Sequence, residues 1–244
     1  VAHDADILSN SWGGGLPSAA ITDAIEFAAA QGRDGLGSVV VSAAGNANQE
    51  AISYPASLSA TLAVGALSPC DQRKSYTSCD GEFWWGSNYG SGLGVTAPVV
   101  LIYSADIAGT AGYVTGDYVP DFNGTSSATP LVAGVAALLL GIDPNLPAGS
   151  VETLIFGSAN DLPPIGWDPE TGHGRLNASQ ALLDLLTLTT DLEAAEVFFR
   201  DLPNGEGDLV DTPQVDQEVY PHLRLVASSL TPVTGTLATL SIDN

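Results

Sequence analysis

The sequence predicts an α/β fold of three layers, a parallel sheet with helices on both faces. Three observations point there. "SVVVSAAGN" (around Val39 to Val41) and "TLAVGAL" (Thr61 to Leu67) are apolar almost without interruption, the pattern of strands covered on both sides. Segments of helical periodicity stand between such runs, so strands alternate with helices. Gly, Ser and Asn gather where the runs end, the punctuation of loops that carry one element into the next.

In chain order, Ile7 and Leu8 in "ADILSNSWGG" read as a strand feeding a loop. "SAAITDAIEFAAAQG" then sets Ala20, Ile21, Ala24, Ile25 and Ala28 on one helical face, with Gly32 as its stop. The two strands named above follow, and "GVTAPVVLIYS" (Gly94 to Ser104) holds one or two more. From Leu131 to Leu140 the chain is apolar on every side, which predicts a fully buried helix. A shorter helix near Ser150 to Gly157 and an amphipathic one over Asn177 to Leu186 complete the domain. Beyond about Leu188 helix signals fade. "EVFFRDL", "HLRLVASSL" and "TGTLATLSI" read as strands, so residues 188–244 are expected to begin a β-rich accessory domain after a first domain of residues 1–187.

A formal charge of −22, from 28 acidic and 6 basic residues, repels phosphate backbones and anionic membranes, so nucleic acid is excluded as a partner. The apolar run from Pro130 to Ile142 is too short for a bilayer span, which predicts a soluble chain. The sequence opens on Val1 within folded-looking sequence and holds no methionine, so it is expected to be an N-terminally incomplete piece of a longer protein. Nothing in it indicates an oligomeric state.

Functional groups in an open parallel sheet collect where strands end and helices begin. Two such junctions stand out, "SAAGN" and "NGTSSATP". At the second, Gly124 can take the positive φ of a tight turn, and Thr125 or Ser126 can cap the orphan amides of the helix. Pro130 costs little while near the first helical turn. Ser126 thus stands at the positive end of a helix dipole on a rigid base. That seat suits a nucleophile, and it equally suits a plain N-cap.

The wider pattern decides between them. "FNGTSSATPLVAGVAAL" resembles the nucleophile segment of the subtilisin-like serine peptidases (subtilases), and on that match Ser126 is the catalytic serine. "VVVSAAGN" is similar to the family's strand ending in the oxyanion-hole asparagine, here Asn46. "NSWGG", "YPA", "LAVGA", "SNYGSGLGVTAPV" and "GHGRLNASQAL" fall in the family's order, so the resemblance runs from about Ala5 to Leu186. It implies a subtilisin-like fold and a secreted endopeptidase acting on proteins or peptides through an acyl-enzyme on Ser126. It also implies that Ser11, Trp12, Gly13, Gly14, Ala43, Ala44, Gly45, Ser53 and Thr125 line the substrate cleft. Small and backbone groups dominate among these residues, so a roomy pocket for an apolar or aromatic side chain is expected. The sedolisin peptidases share the Gly-Thr-Ser segment but place an aspartate where Asn46 stands, which favours the subtilase reading.

The family's other two triad members, an aspartate and a histidine, precede these segments and are absent here. His3 stands where a strand begins, His173 lies in a glycine turn read as solvated, and His222 falls in the appendage; none is placed as the general base. The expectation is that both residues lie upstream of Val1 and that these 244 residues alone are inactive. A binding module that kept the fold and lost its base is the alternative. Asp117 and Asp121 read as exposed loop carboxylates, and Asn123-Gly-Thr and Asn177-Ala-Ser as sequons carrying no weight. Cys70 and Cys79 bracket an eight-residue loop, close enough for a disulfide and unlike a zinc pattern, which supports an extracellular or periplasmic home. Trp84 and Trp85 either cover that loop or line a peptide-binding edge, with packing the expected role. No cofactor is needed for the chemistry and no metal ligands are named, although structural calcium is frequent in the family.

Overall fold

The computed structural model describes residues 4–189 and, beyond them, the strands Ala195–Arg200, Leu209–Val210 and Tyr220–Leu225. It divides into two units, Val1–Leu182 and Leu183–Asn244.

The first unit is built on four strands, β1 (Ile7–Asn10), β2 (Val39–Ala43), β3 (Leu62–Leu67) and β4 (Leu93–Pro98), all parallel and in the order β1-β2-β3-β4. Every residue of β2 and β3, and all of β4 but Pro98, is buried, so both faces of these strands are covered. That is why their sequences run apolar without alternation. Each fully buried valine here contributes roughly 1.5 to 3 kcal/mol of burial free energy. Edge strand β1 is only half-buried. Between β1 and β2 runs α1 (Ala19–Gln31), and α2 (Thr125–Ile142) and α3 (Ala148–Ser158) follow the sheet. The segment from Gly94 to Ser104 resolves into β4 and β5 (Ile102–Ala105), which pairs antiparallel with β6 (Tyr118–Phe122).

Three expectations change. On α1 only Ile25 and Ala28 are buried, while Ala20, Ile21 and Ala24 are exposed; the packed face turns toward half-buried Thr22 and Ala29. On α2, Val132, Val135, Ala136, Leu139 and Leu140 are buried, but Leu131, Leu138 and Ile142 are exposed. The helix rests one stripe on the sheet, at i, i+3, i+4 spacing, and does not bury its whole circumference. It also begins at Thr125, earlier than the apolar run suggested. At 18 residues it is long and apolar enough to cross a membrane, but half of it is buried inside the fold as a core helix lying on β1, β2 and β3.

Helix α4 (Ala178–Thr189) starts in the first unit and ends in the second, so the expected boundary at 187/188 falls inside it. The second unit holds an antiparallel sheet of order β8-β7-β9, with β7 Ala195–Arg200, β8 Leu209–Val210 and β9 Tyr220–Leu225. "EVFFRDL" and "HLRLVASSL" supply β7 and part of β9, whereas "TGTLATLSI" lies outside the described residues.

Candidate active site

Parallel strands put their carboxyl ends side by side, and here the pairing of Asn10 with Ser42 makes Ser11 and the Ala43–Asn46 turn leave the sheet together. The turn is made possible by Gly45, whose φ of 110° lies in the left-handed region. A Cβ there would meet the Ser53 hydroxyl and the Asn88 amide within 2.5 Å. Asn88 is a residue that sequence reasoning missed. Its Oδ1 accepts from Ala47 N at 2.9 Å and Gln49 N at 3.2 Å, and its Nδ2 donates to Ser53 Oγ at 3.1 Å. It therefore ties the turn after β2 to the Ser53 wall. Only its place within "SNYGSGLGVTAPV" could have flagged it.

The start of α2 is fastened to the same turn. Gly124, with φ 108°, is the N-cap residue, and neither Thr125 nor Ser126 caps the helix as expected. Asn46 does so from outside: its Oδ1 accepts from Thr125 N and from Thr125 Oγ1, both at 2.9 Å. Thr125 Oγ1 in turn accepts from Gly45 N at 3.2 Å. With its oxygen engaged, the Asn46 amide is held rigid, and among the described residues its Nδ2 donates to no acceptor. That nitrogen lies over Gly124, 3.3 Å from where a Cβ would stand.

Ser126 is left free of capping. Its Oγ donates to Ser11 O at 3.2 Å, and Ser11 Oγ donates back to Ser126 O at 2.7 Å. The second bond answers a vacancy created by sequence. Pro130 stands one turn on, past the first helical turn, and has no N–H to give to the Ser126 carbonyl. Ser11 supplies the missing donor.

These groups surround a cavity of about 370 Å³ lined by Ser11, Trp12, Gly13, Ala43, Gly45, Asn46, Ser53, Thr125 and Ser126, with no charged side chain among them. Ala44 and Gly14 stand outside the lining. Ala44 is buried, its N–H donating to Val64 O and its carbonyl accepting from Ser53 N, and Gly14 N donates to Tyr54 O. A second cavity, of about 400 Å³, holds none of these residues; its Asp71 pairs with Arg175 and its Asp168 accepts from Thr171.

Among the described residues no histidine lines the cavity at Ser126. His3 and the side chain of His222 lie outside them. His173 is not a solvated turn residue: its ring stacks on Phe156, centroids 4.5 Å apart, and its backbone N–H donates to Gly94 O. Burial holds its imidazole below the ordinary histidine pKa, and Asp161 opposes that only in part. Asp117 and Asp121 are exposed. Both sequon amides are engaged, Asn123 Nδ2 with Glu82 and Asn177 Nδ2 with Asn160 Oδ1 at 2.9 Å. Cys70 and Cys79 form a disulfide with Cα atoms 6.4 Å apart. Of the two tryptophans, Trp85 is buried and Trp84 exposed. No three His, Cys, Asp or Glu side chains gather as metal ligands among the described residues.

Comparison with known proteins gives the same order of segments a wider frame. The model of the Subtilase family matches residues 1–174. The calcium-dependent protease of Trichormus variabilis is 30% identical over 238 residues, which cover 91% of this chain and 34% of that protein. Subtilisin DY of Bacillus licheniformis is 36% identical over 180 residues, covering 72% of this chain and 56% of its own. The chain thus spans about a third to just over half the length of these relatives. The solved structure of the prenylagaramide maturation protease PagA matches with a TM-score of 0.58 and 27% identity, over 75% of this chain and 63% of that one. A parallel α/β sheet with a serine at the head of its core helix, matched over residues 1–174 to one family, establishes that this chain belongs to the subtilases.

Proposed function

We propose that this chain carries the nucleophile and oxyanion site of a serine endopeptidase that cleaves proteins or peptides through an acyl-enzyme on Ser126. One observation carries the reading: Ser126 and Asn46, whose amide nitrogen has no acceptor among the described residues, line one uncharged cavity. Ser126 Oγ attacks the scissile carbonyl, its proton passes to an imidazole, and the amine leaves with that proton. The carbonyl oxygen becomes an anion in the transition state. Asn46 Nδ2 and the first-turn N–H of Ser126 are donors that need no reorganisation to receive it, because Thr125, itself held by Gly45 N, fixes the asparagine. The neutral, small-residue walls suit an apolar or aromatic side chain ahead of the cut.

The imidazole and its carboxylate partner are assigned to sequence other than these 244 residues, so the chain alone is expected to be inert. The surface disulfide and the acidic, lysine-poor composition suit an extracellular or periplasmic setting. Calcium appears in the name of one relative, and among the described residues no three His, Cys, Asp or Glu side chains gather to hold it. A second reading, a non-catalytic peptide-binding module, draws on the lack of a histidine at the cavity among the described residues. The full-length gene product treated with a fluorophosphonate probe separates the two. Labelling that vanishes in Ser126→Ala supports the peptidase; equal labelling of both proteins contradicts the assigned nucleophile, and no labelling with retained peptide binding supports the module.

A further inference from the structure

The sole lysine of the chain, Lys74, is completely buried. Its ammonium donates to Ser75 O at 2.7 Å, to Ser78 Oγ and Trp85 O at 3.2 Å, and to Glu82 O, and lies 3.1 Å from the equally buried Asp80 carboxylate. Ser75 and Ser78 lie within the loop closed by the Cys70–Cys79 disulfide, and Asp80, Glu82 and Trp85 follow directly after it. Burying a charge is costly unless every partner is in place, so the loop is wound around one internal cation in a single arrangement. That arrangement also fixes the backbone of Glu82. The Glu82 carbonyl accepts from Lys74, and its N–H donates to Asp80 Oδ1 at 2.9 Å.

Glu82 is itself 3% exposed, and among the described residues no cation pairs with its carboxylate. Its oxygens accept from Trp85 Nε1 and from Asn123 Nδ2, the latter at 2.9 and 3.1 Å. Asn123 stands three residues ahead of Ser126, and its carbonyl accepts from Ser127 Oγ at 3.1 Å. The turn that presents Ser126 is therefore held from two sides, by Asn46 at Thr125 and by Glu82 at Asn123.

We infer that Glu82 is a positioning residue for Ser126: anchored on the Lys74 cage, its buried carboxylate clamps Asn123 and fixes the glycine turn from which the serine projects. The inference rests on the reading of Ser126 as the reacting serine, but its consequence for the turn does not. Releasing Asn123 should let the Asn123–Ser127 segment open locally, and a misplaced serine should react more slowly without losing substrate affinity.

The test uses the full-length gene product and two readouts. In Glu82→Ala, hydrogen exchange of the amides from Gly124 to Ser127 should quicken on the order of tenfold while those of β2 to β4 keep their protection. Fluorophosphonate labelling should slow on the order of tenfold, with peptide KM little changed. Glu82→Gln, which keeps one acceptor oxygen for Asn123, should fall between wild type and Glu82→Ala. Asn123→Ala leaves the Lys74 cage untouched and should reproduce both effects even if Glu82→Ala folds poorly. Combining it with Glu82→Gln should add nothing further. Unchanged exchange at 124–127 in both alanine variants, or fully additive effects in the double variant, overturns the inference. If wild type takes no label, the peptidase reading fails while the exchange arm still decides the role of Glu82.

Discussion

Asn46 uses the two ends of one amide differently, and a substitution can separate them. An aspartate in its place would keep an acceptor for Thr125 N and Oγ1 and would sit well at a helix N-terminus, but it has no N–H to donate. In the full-length gene product, Asn46→Asp is therefore expected to leave the melting temperature unchanged and to lower kcat about 100- to 1000-fold, a magnitude carried over from the oxyanion asparagine of subtilisin. Steady-state kinetics beside thermal melts check this, and a lowered melting temperature with normal kcat would reverse the assignment. A second prediction concerns Asp80. Burial raises its carboxyl pKa, but bonds from Ser78 Oγ and Glu82 N and the Lys74 ammonium outweigh that and hold it below the usual aspartate value. A depressed carboxylate stabilises the fold above its unfolded pKa, and that contribution disappears as pH falls through the folded one. Wild type should thus be more stable to urea than Asp80→Asn at pH 7. The gap should close as pH drops below about 4. A gap that persists unchanged at the lowest pH would contradict it.

At the scale of elements, Pro130 and Ser11 form a coupled pair. Proline removes the donor for the Ser126 carbonyl, and Ser11 on the loop after β1 replaces it at 2.7 Å. Ser11→Ala should destabilise wild type by about 1 kcal/mol, and by much less in a Pro130→Ala background where the helix bond returns. A double-mutant cycle by chemical denaturation measures this, and purely additive losses would show the two positions to be independent. The same elements show what could be read beforehand. β2 and β3 were legible because unbroken apolar runs are local signals, and the Gly-Thr-Ser turn marked the approach to α2 though not its cap or its first residue. The exposed face of α2 was not, since an apolar residue carries no record of whether a neighbour covers it. Asn88, Glu82 and the cap that Asn46 places on Thr125 also escaped, because each joins loops distant in sequence through a side-chain bond with no periodicity. β6 was missed for a similar reason: "YVPDF" carries a proline and an aspartate that read as loop, and only its pairing with β5 makes it a strand.

For the whole molecule the dominant quantity is charge. With a formal net charge of −22 the compact state carries strong self-repulsion, which added salt screens over about 10 Å at 0.1 M. The melting temperature should therefore rise as sodium chloride increases from about 10 mM to about 500 mM, and a flat or falling curve in calorimetry would show that repulsion is offset elsewhere. No charged side chain lines the cavity at Ser126, so under the proposed function a substrate is held there by shape and by the Asn46 and Ser126 donors, not by charge attraction. A structure of the full-length protein bound to a peptide boronic acid tests this most directly. The account predicts boron bonded to Ser126 Oγ and one boronate oxygen about 2.7 to 3.1 Å from Asn46 Nδ2. Boron bonded to any other residue, or a boronate oxygen turned away from Asn46, would contradict it.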